Sequence, residues 1–304
     1  MSEKIEVVVT NEFIGERLDV ALSKILPKSR SNIQRALKEM GIKPSMKVKD
    51  TMKFELTFTE EESKAAIEPR PIPFKVLYED DDIIVIDKPA PLVVHPAAGH
   101  WNDTLVHGLL YRYPELASSD LRRPGIVHRL DAGTSGLMVI ARNLYAKQQL
   151  MASFKSRSVR KVYLALVEGR PREPKGHIIS PIGRNPKNRL KMAVVSQGKE
   201  AITEYEVLWT TGMFSFLRCI IHTGRTHQIR IHLKELGCPI IGDKLYGAKF
   251  KAPWVPNDRF FLHAWRLAFP HPRDGKTMSF RSPLPDELIA ALREARSTAT
   301  EKRV

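Results

Sequence analysis

The stretch from Glu60 to Pro73 constrains this chain more than any other. There Glu60-Glu61-Glu62-Ser63-Lys64-Ala65-Ala66 gives way to Glu68-Pro69-Arg70-Pro71-Ile72-Pro73. Alternating prolines lack the amide donors that a helix or a sheet ladder needs, so the segment reads as a semi-rigid connector. It divides the 304 residues into 1–68 and 69–304, as expected for two domains of ordinary size.

The text on the two sides of the connector differs. Residues 17 to 40 read as two short helices. Leu18, Leu22, Ile25 and Leu26 form the first apolar stripe, Pro27 breaks it, and Ser31 can cap a second helix that turns Ile33, Ala36, Leu37 and Met40 inward. Beyond the connector, Phe74–Tyr78 and Ile83–Ile86 flank Glu79-Asp80-Asp81-Asp82 as a hairpin. Leu137–Ala141 reads as a buried strand, Asn143 as the cap of a helix reaching about Arg157, and Val159–Val167, Ile202–Trp209 and Phe214–His222 as further strands. A helix starting at Thr226 carries Ile229, His232, Leu233 and Leu236 on one stripe. A last helix spans about Asp286 to Arg296, and the polar tail after it is expected to fray. Strands with interspersed helices and no βαβ rhythm predict an α+β fold with a largely antiparallel, mixed sheet behind a small α-rich domain.

Charge narrows the partners. Lys and Arg number 49 against 34 Asp and Glu, a net +15. Within 17–49 the nine basic residues against Asp19 and Glu39 leave +7. A one-signed surplus favours a polyanion, although a solvated helical face is the ordinary meaning of a basic run. No lipidation signal or apolar 20-residue run points to a membrane. The first residues look neither like a secretory leader nor like a transit peptide, so a cytoplasmic protein with reduced Cys219 and Cys238 is expected. Nucleic acid is the favoured partner.

Several chemistries lose support. Gly198-Lys199 lacks the glycine spacing of a phosphate loop, Gly133-Thr134-Ser135-Gly136 is one residue short of a nucleophile elbow, and no G-x-G-x-x-G occurs. His222, His227 and His232 are five residues apart, which puts successive side chains about 140° apart on a helix. They are not expected to converge on a metal.

Three charged segments remain. In Gly125-Ile126-Val127-His128-Arg129-Leu130-Asp131-Ala132-Gly133-Thr134-Ser135-Gly136-Leu137 a carboxylate sits among turn-forming residues at a strand mouth, where a loop can present it to a ligand. An Asx-turn or a structural ion pair is the competing reading. Arg17-Leu18-Asp19 repeats the tripeptide, and there the aspartate lies in a first helical turn, a structural position. In Arg160–Val167, Tyr163 shares a strand face with Lys161 and Ala165; a core tyrosine is the commoner meaning. In His222–Arg230, Arg225 sits at a glycine turn, from which a guanidinium can hold a buried carboxylate and keep it ionised.

Together these segments resemble the RluA/RluD family of RNA pseudouridine synthases. His128-Arg129-Leu130-Asp131-x-x-Thr134-Ser135-Gly136-Leu137 is similar to the family's catalytic-aspartate motif, Lys161-x-Tyr163-x-Ala165 to its tyrosine motif, and Gly224-Arg225-Thr226-His227-Gln228-Ile229-Arg230 to its arginine motif. Asp87-Lys88-Pro89, His95-Pro96, Gly237–Asp243 and Leu262-His263-Ala264 add to the likeness, which spans about 74 to 285. Residues 1–68 resemble the RNA-binding module named after ribosomal protein S-four. They depart from it at Gly41–Lys47, where its usual Asn-Gly hairpin turn is missing.

The resemblance implies a cofactor-free, metal-free isomerase that converts uridine to pseudouridine, with large-subunit ribosomal RNA as the expected partner. Transfer RNA modification and a noncatalytic role in ribosome assembly are the alternatives. It implies Asp131, Tyr163 and Arg225 as catalytic residues: the aspartate acts at the sugar as nucleophile or base, the arginine keeps it ionised, and the tyrosine lies against the uracil. His128, Arg129 and Leu262 are the substrate-binding candidates, with Arg129 entering the gap left by a flipped base. Phosphate contacts are expected from Lys24, Arg30, Arg35 and Lys38 on the small domain, and from Arg142, Arg184, Lys187, Arg189 and Lys191 on the large one. A monomer without membrane association is expected.

Overall fold

The computed structural model describes residues 2–26, 28, 30–59, 67–97, 99–118, 123–188, 191–247, 250, 252–256 and 258–301. The chain forms two compact units, Met1–Glu68 and Pro69–Val304.

In the first unit, β1 (Ser2–Val9) pairs antiparallel with β2 (Met52–Thr59) beside α1 (Leu18–Ile25) and α2 (Arg30–Glu39). Leu18, Leu22, Ile33 and Leu37 from the two helices meet Val7, Val9, Leu56 and Phe58 from the strands in one core. Of the predicted stripes, Leu18, Leu22, Leu26, Ile33, Ala36 and Leu37 are buried, whereas Ile25 and Met40, expected to face inward, are exposed at the ends of their helices, and Ser31, expected as a cap, lies inside α2. The two strands escape a local reading because their partners lie at opposite ends of the unit; alternation is their trace, with Val7 and Val9 buried and Val8 exposed.

Asp19 holds the helices together. Its carboxylate is fully buried and accepts from Arg17 Nε and Nη2 at 3.0 and 3.1 Å, from Arg30 Nε at 2.9 Å and from Gln34 Nε2. Arg30, expected to face RNA, therefore spends Nε on Asp19. Lys24, expected likewise, is paired with Glu16 at 2.6 Å.

The second unit is built on a nine-stranded sheet. Its elements are β3 (Lys75–Glu79), β4 (Ile83–Lys88), α3 (Leu105–Arg112), β5 (Ser135–Ala141), α4 (Leu144–Lys155), β6 (Arg160–Glu168) and β7 (Lys175–Ile179). There follow β8 (Ile182–Arg184), β9 (Met192–Val194), β10 (Ile202–Thr210), β11 (Phe214–Ile221), α5 (Gln228–Glu235), β12 (Leu262–Pro270), β13 (Thr277–Arg281) and α6 (Asp286–Glu301). The sheet runs β3-β4-β5-β12-β6-β11-β10-β7, with β13 on β12, and β8 and β9 form a separate ribbon. Among the described residues only the β5–β12 pairing is parallel. It brings segments more than a hundred residues apart in sequence into register at Ser135–His263 and Gly136–Ala264.

Asn143 caps α4 by accepting the Ala146 amide at 2.8 Å. The last helix continues to Glu301, past the expected end at Arg296; Leu288, Ala291 and Ala295 bury one stripe of its earlier turns. Among the described residues no helix is long and apolar enough to cross a membrane.

The Asp19 cluster generates a prediction. Arginine and glutamine bonds hold the carboxylate well below its usual range against the opposing effect of burial, so the folded form binds its proton less readily than the unfolded form. That stabilisation is present above an unfolded pKa of about 3.9 and is lost as the pH falls below it. Asp19→Asn is expected to destabilise the first unit by about 1–2 kcal/mol at pH 7, since both arginines remain half-exposed to water. Amide hydrogen exchange in the full chain should show faster opening of α1 and α2, and the difference should vanish in acid.

Candidate active site

One cavity of about 480 Å³ opens where three segments of the second unit meet: the loop before β5, the start of β6, and the turn between β11 and α5. Asp131, Tyr163, Arg225, His128, Arg129 and Leu262 all line it.

Close packing sets the loop that carries Asp131. The Thr134 amide donates to the Asp131 carbonyl at 3.0 Å, forming the turn into β5. Gly136 has φ 109°, and a Cβ there would meet the Ala264 carbonyl across the parallel pairing; only glycine suits both demands. Two buried basic side chains support the loop. Lys88 Nζ donates to the carbonyls of Pro89 and Leu92 at 2.8 Å and of Ala132 at 3.2 Å, and Arg259 donates to the Gly133 carbonyl and to Ser135 Oγ at 3.2 and 2.8 Å. Burial, then the neighbouring Arg259 charge, lowers the Lys88 ammonium to about 7.

Arg230 is the cation bonded to the Asp131 carboxylate. It donates through Nη1 to Asp131 Oδ2 at 3.3 Å, while its Nε and Nη2 form a bidentate pair with Asp243 at 2.7 and 2.9 Å. The guanidinium lies 4.3 Å from the Phe260 ring centroid and 5.0 Å from that of Tyr246. This corrects the expectation that Arg225 holds Asp131. Arg225 lines the cavity, but among the described residues no hydrogen bond or ion pair joins it to Asp131, and its Nε donates to the Glu200 carbonyl at 2.8 Å.

The reason lies in Gln228. Its Oε1 accepts from Thr223 Oγ1 and from the Arg225 amide, and its Nε2 donates to the Ile202 carbonyl and Thr203 Oγ1. With every donor and acceptor satisfied, this side chain pins the turn, and the turn directs Arg225 toward Glu200. A signal for Arg230 was present in the sequence. A cation in the first turn of a helix opposes the macrodipole, so it calls for an acidic partner.

Tyr163 is buried. Burial, and after it the Asp131 charge, raise its phenol above the usual tyrosine range, so it is protonated at neutral pH. Lys161 has Nζ 3.5 Å from the Thr223 carbonyl and 5.7 Å from the Phe154 ring centroid. Burial and Arg225 lower it to about 8. His128 stacks on Phe154 with centroids 4.7 Å apart, and its Nε2 accepts the Val139 amide at 3.0 Å. Burial, then Lys161, lowers that imidazole to about 3, so His128 lines the cavity as a neutral ring tied to β5. Arg129 is exposed at the rim.

The remaining basic candidates are not among the residues that line this cavity. Arg35 and Lys38 are exposed on α2 of the first unit. Arg184 and Lys187 are exposed near the β8–β9 ribbon, Lys191 is half-buried in a second recess, and Arg189 lies outside the described residues. Arg142, expected as a phosphate contact, instead donates to the Asp80 carbonyl at 2.7 Å and to Glu115 at 2.8 Å.

The three histidines go separate ways. His222 faces Glu204, His227 Nδ1 meets Tyr246, and His232 bonds Thr203 and Ser180. Among the described residues the one cluster spaced for a metal is Asp80, Asp82 and His271. These groups are already engaged, Asp82 by a bidentate pair with Arg273 and Asp80 by His271 and Tyr78.

With this geometry in view, comparison with known proteins is specific. A family model described as RNA pseudouridylate synthase matches residues 82–235. The chain is 43% identical over 308 residues to the ribosomal large subunit pseudouridine synthase D of Neisseria meningitidis serogroup A, covering 95% of this chain and 81% of that protein. It is 44% identical to an uncharacterized RNA pseudouridine synthase of Chloroflexus aurantiacus, covering 98% and 96%. Among solved structures, the human RNA pseudouridylate synthase domain containing 1 aligns with a TM-score of 0.57 and 29% identity over 76% of this chain and 96% of that one. The human domain containing 4 aligns with a TM-score of 0.59 and 26% identity over 73% and 93%.

The two carboxylates on Arg230 should respond differently to substitution. Asp243 and Arg230 are both buried, so Asp243→Ala removes the bidentate partner of a buried cation, leaves it the single Asp131 bond, and is expected to cost about 3 kcal/mol. Asp131→Asn keeps an oxygen acceptor near a guanidinium that stays paired with Asp243, and is expected to change stability by less than about 1 kcal/mol. Denaturant melts of both variants check the order; equal losses would contradict it.

Proposed function

Since the chain belongs to the RNA pseudouridylate synthase family, we propose that its cavity isomerises uridines of large-subunit ribosomal RNA, with Asp131 acting at the sugar. The observation that carries this reading is the convergence in one cavity of a carboxylate held by Arg230, a buried tyrosine and an apolar wall. The reaction breaks the C1′–N1 bond, turns the uracil and forms a C1′–C5 bond, after which the C5 proton is lost and N1 gains one. No electrons are exchanged. Asp131, beside the Arg230 cation, supplies a carboxylate as nucleophile or base. Tyr163, kept protonated, is suited to pack against the uracil rather than to take its C5 proton at rest, and Leu262 gives the ring an apolar wall.

The target base must leave its stack, at a cost of a few kcal/mol. Arg129 at the rim is the residue we assign to the gap. Arg225 is better placed to meet phosphate or base edges than to hold Asp131. We assign residues 1–68 to RNA binding through the exposed face of α2 around Arg35 and Lys38, with Arg184 and Lys187 as further contacts. The ribosomal target follows from the names of the synthase D relatives. A monomer acting in the cytoplasm is the simplest form of this reading.

Asp131→Asn is expected to abolish turnover and leave RNA affinity within about tenfold, because it removes a reacting charge and preserves shape. Tritium release from C5-labelled uridine RNA checks it; near-parental activity would refute the assignment. Pseudouridine mapping across cellular RNA with and without the protein separates a ribosomal from a transfer RNA target.

Deleting residues 1–68 should spare chemistry on a saturating short RNA and weaken binding to a large structured one. Each lost phosphate contact should also reduce the logarithmic salt slope by about 0.7–0.9. Unchanged affinity and slope would mark the basic face as merely solvated.

A further inference from the structure

His227 enters the cavity in a conformation its residue type disfavours. It precedes α5 with φ 59° and ψ 22°, left-handed geometry that costs a residue with a side chain about 1–3 kcal/mol and persists only where surroundings over-determine it. The surroundings here are explicit. His227 Nδ1 lies 2.7 Å from the Tyr246 hydroxyl, with the rings edge to face at 5.5 Å. Tyr246 in turn accepts the Met192 amide at 3.0 Å. Having accepted that amide, the hydroxyl has one proton to give, and Nδ1 is the acceptor before it. Burial, the largest influence on His227, favours the neutral ring. The network thus assigns the tautomer with its proton on Nε2, aimed at Asp131.

Nε2 stands 4.0 Å from Asp131 Oδ1, while Arg230 bonds the other oxygen, Oδ2. At that separation donor and acceptor do not bond each other. A hydroxyl oxygen about 2.8 Å from both subtends an angle of about 90° across the 4.0 Å gap, within about 20° of the tetrahedral angle between a hydroxyl's lone pair and its proton, a bend hydrogen bonds accommodate. Resting on the reading of this cavity as a uridine site, we propose that His227 Nε2 and Asp131 Oδ1 together bind the ribose 2′-hydroxyl of the reacting nucleotide. The imidazole donates to the hydroxyl oxygen and the hydroxyl donates to the carboxylate. The 2′-hydroxyl is the group by which a site tells RNA from DNA. It sits on the carbon next to C1′, so seating it brings the reacting carbon to Asp131. Tyr246 acts through His227 as a positioning residue.

The test uses the full chain and short RNAs spanning a uridine that the wild type converts, with pseudouridine or 2′-deoxypseudouridine at that position. Wild type is expected to bind the ribose form about tenfold more tightly, the effect of one hydrogen bond to a charged partner. His227→Phe keeps a ring but no donor, and its ratio should fall to about 1. His227→Gln keeps a donor and should recover most of the preference; Tyr246→Phe should give an intermediate ratio. A wild-type ratio near 1 overturns the proposal, as does an unchanged ratio in His227→Phe. Should that variant not fold, an unchanged ratio in Tyr246→Phe overturns it. If the wild type converts no uridine in any RNA, the functional reading fails and this proposal with it. Conversion with an unchanged ratio refutes this proposal alone.

Discussion

A guanidinium buried between two carboxylates organises the cavity. Arg230 has little access to water, so its charge needs fixed partners. Asp243 supplies a bidentate one and Asp131 takes the remaining Nη1. Asp243 is itself set by the Leu245 and Tyr246 amides, which donate to its Oδ1 at 3.0 and 3.1 Å. The same arrangement stacks Arg230 on Phe260 and Tyr246, and Tyr246 in turn orients His227. One ion-pair chain thereby fixes the carboxylate, the imidazole beside it and part of the wall.

The Asp131 loop is supported from the opposite side. Lys88 and Arg259 are basic side chains with almost no exposure; Lys88 donates to carbonyls of the loop and its neighbours, and Arg259 donates to the Gly133 carbonyl and Ser135 Oγ and pairs with Glu287. Such bonds hold backbone in place without neutralising the reacting carboxylate. Phe260 closes the gap: a Cβ on Gly133 would come within 2.6 Å of its ring. The loop is therefore held by contacts from β4, from the segment before β12, and from β12 itself. This is the rigid support that a reacting group requires.

The first unit uses the same device for a different end. Asp19 is a buried carboxylate surrounded by donors, and its partners are structural. The identical tripeptides Arg17-Leu18-Asp19 and Arg129-Leu130-Asp131 differ in what surrounds the acid. One is saturated by arginines of its own helical pair, and the other keeps an oxygen free of any such partner.

Much of this protein is legible along the chain. The inner positions of the helical stripes, the alternating strands and the loop bearing Asp131 are local patterns of backbone preference and apolar spacing, and they lie close to where those patterns put them; residues 60–66 of the connector lie outside the described residues. The strands β1 and β2 and the parallel β5–β12 pairing are not local, since their partners are distant in sequence and only the closed core selects the register. The choice of Arg230 over Arg225 is also tertiary. Both lie in one motif; the first-turn position of Arg230 points to an acidic partner, but only the fold decides that the partner is Asp131. The Gln228 bonds turn Arg225 toward Glu200, and the burial of Arg230 against Asp243 leaves one donor for Asp131. The sequence by itself determined which residue types are available at the cavity. The tertiary structure decided which of them touch, because a charge in a low-dielectric interior is stable only beside the partners that the fold brings to it.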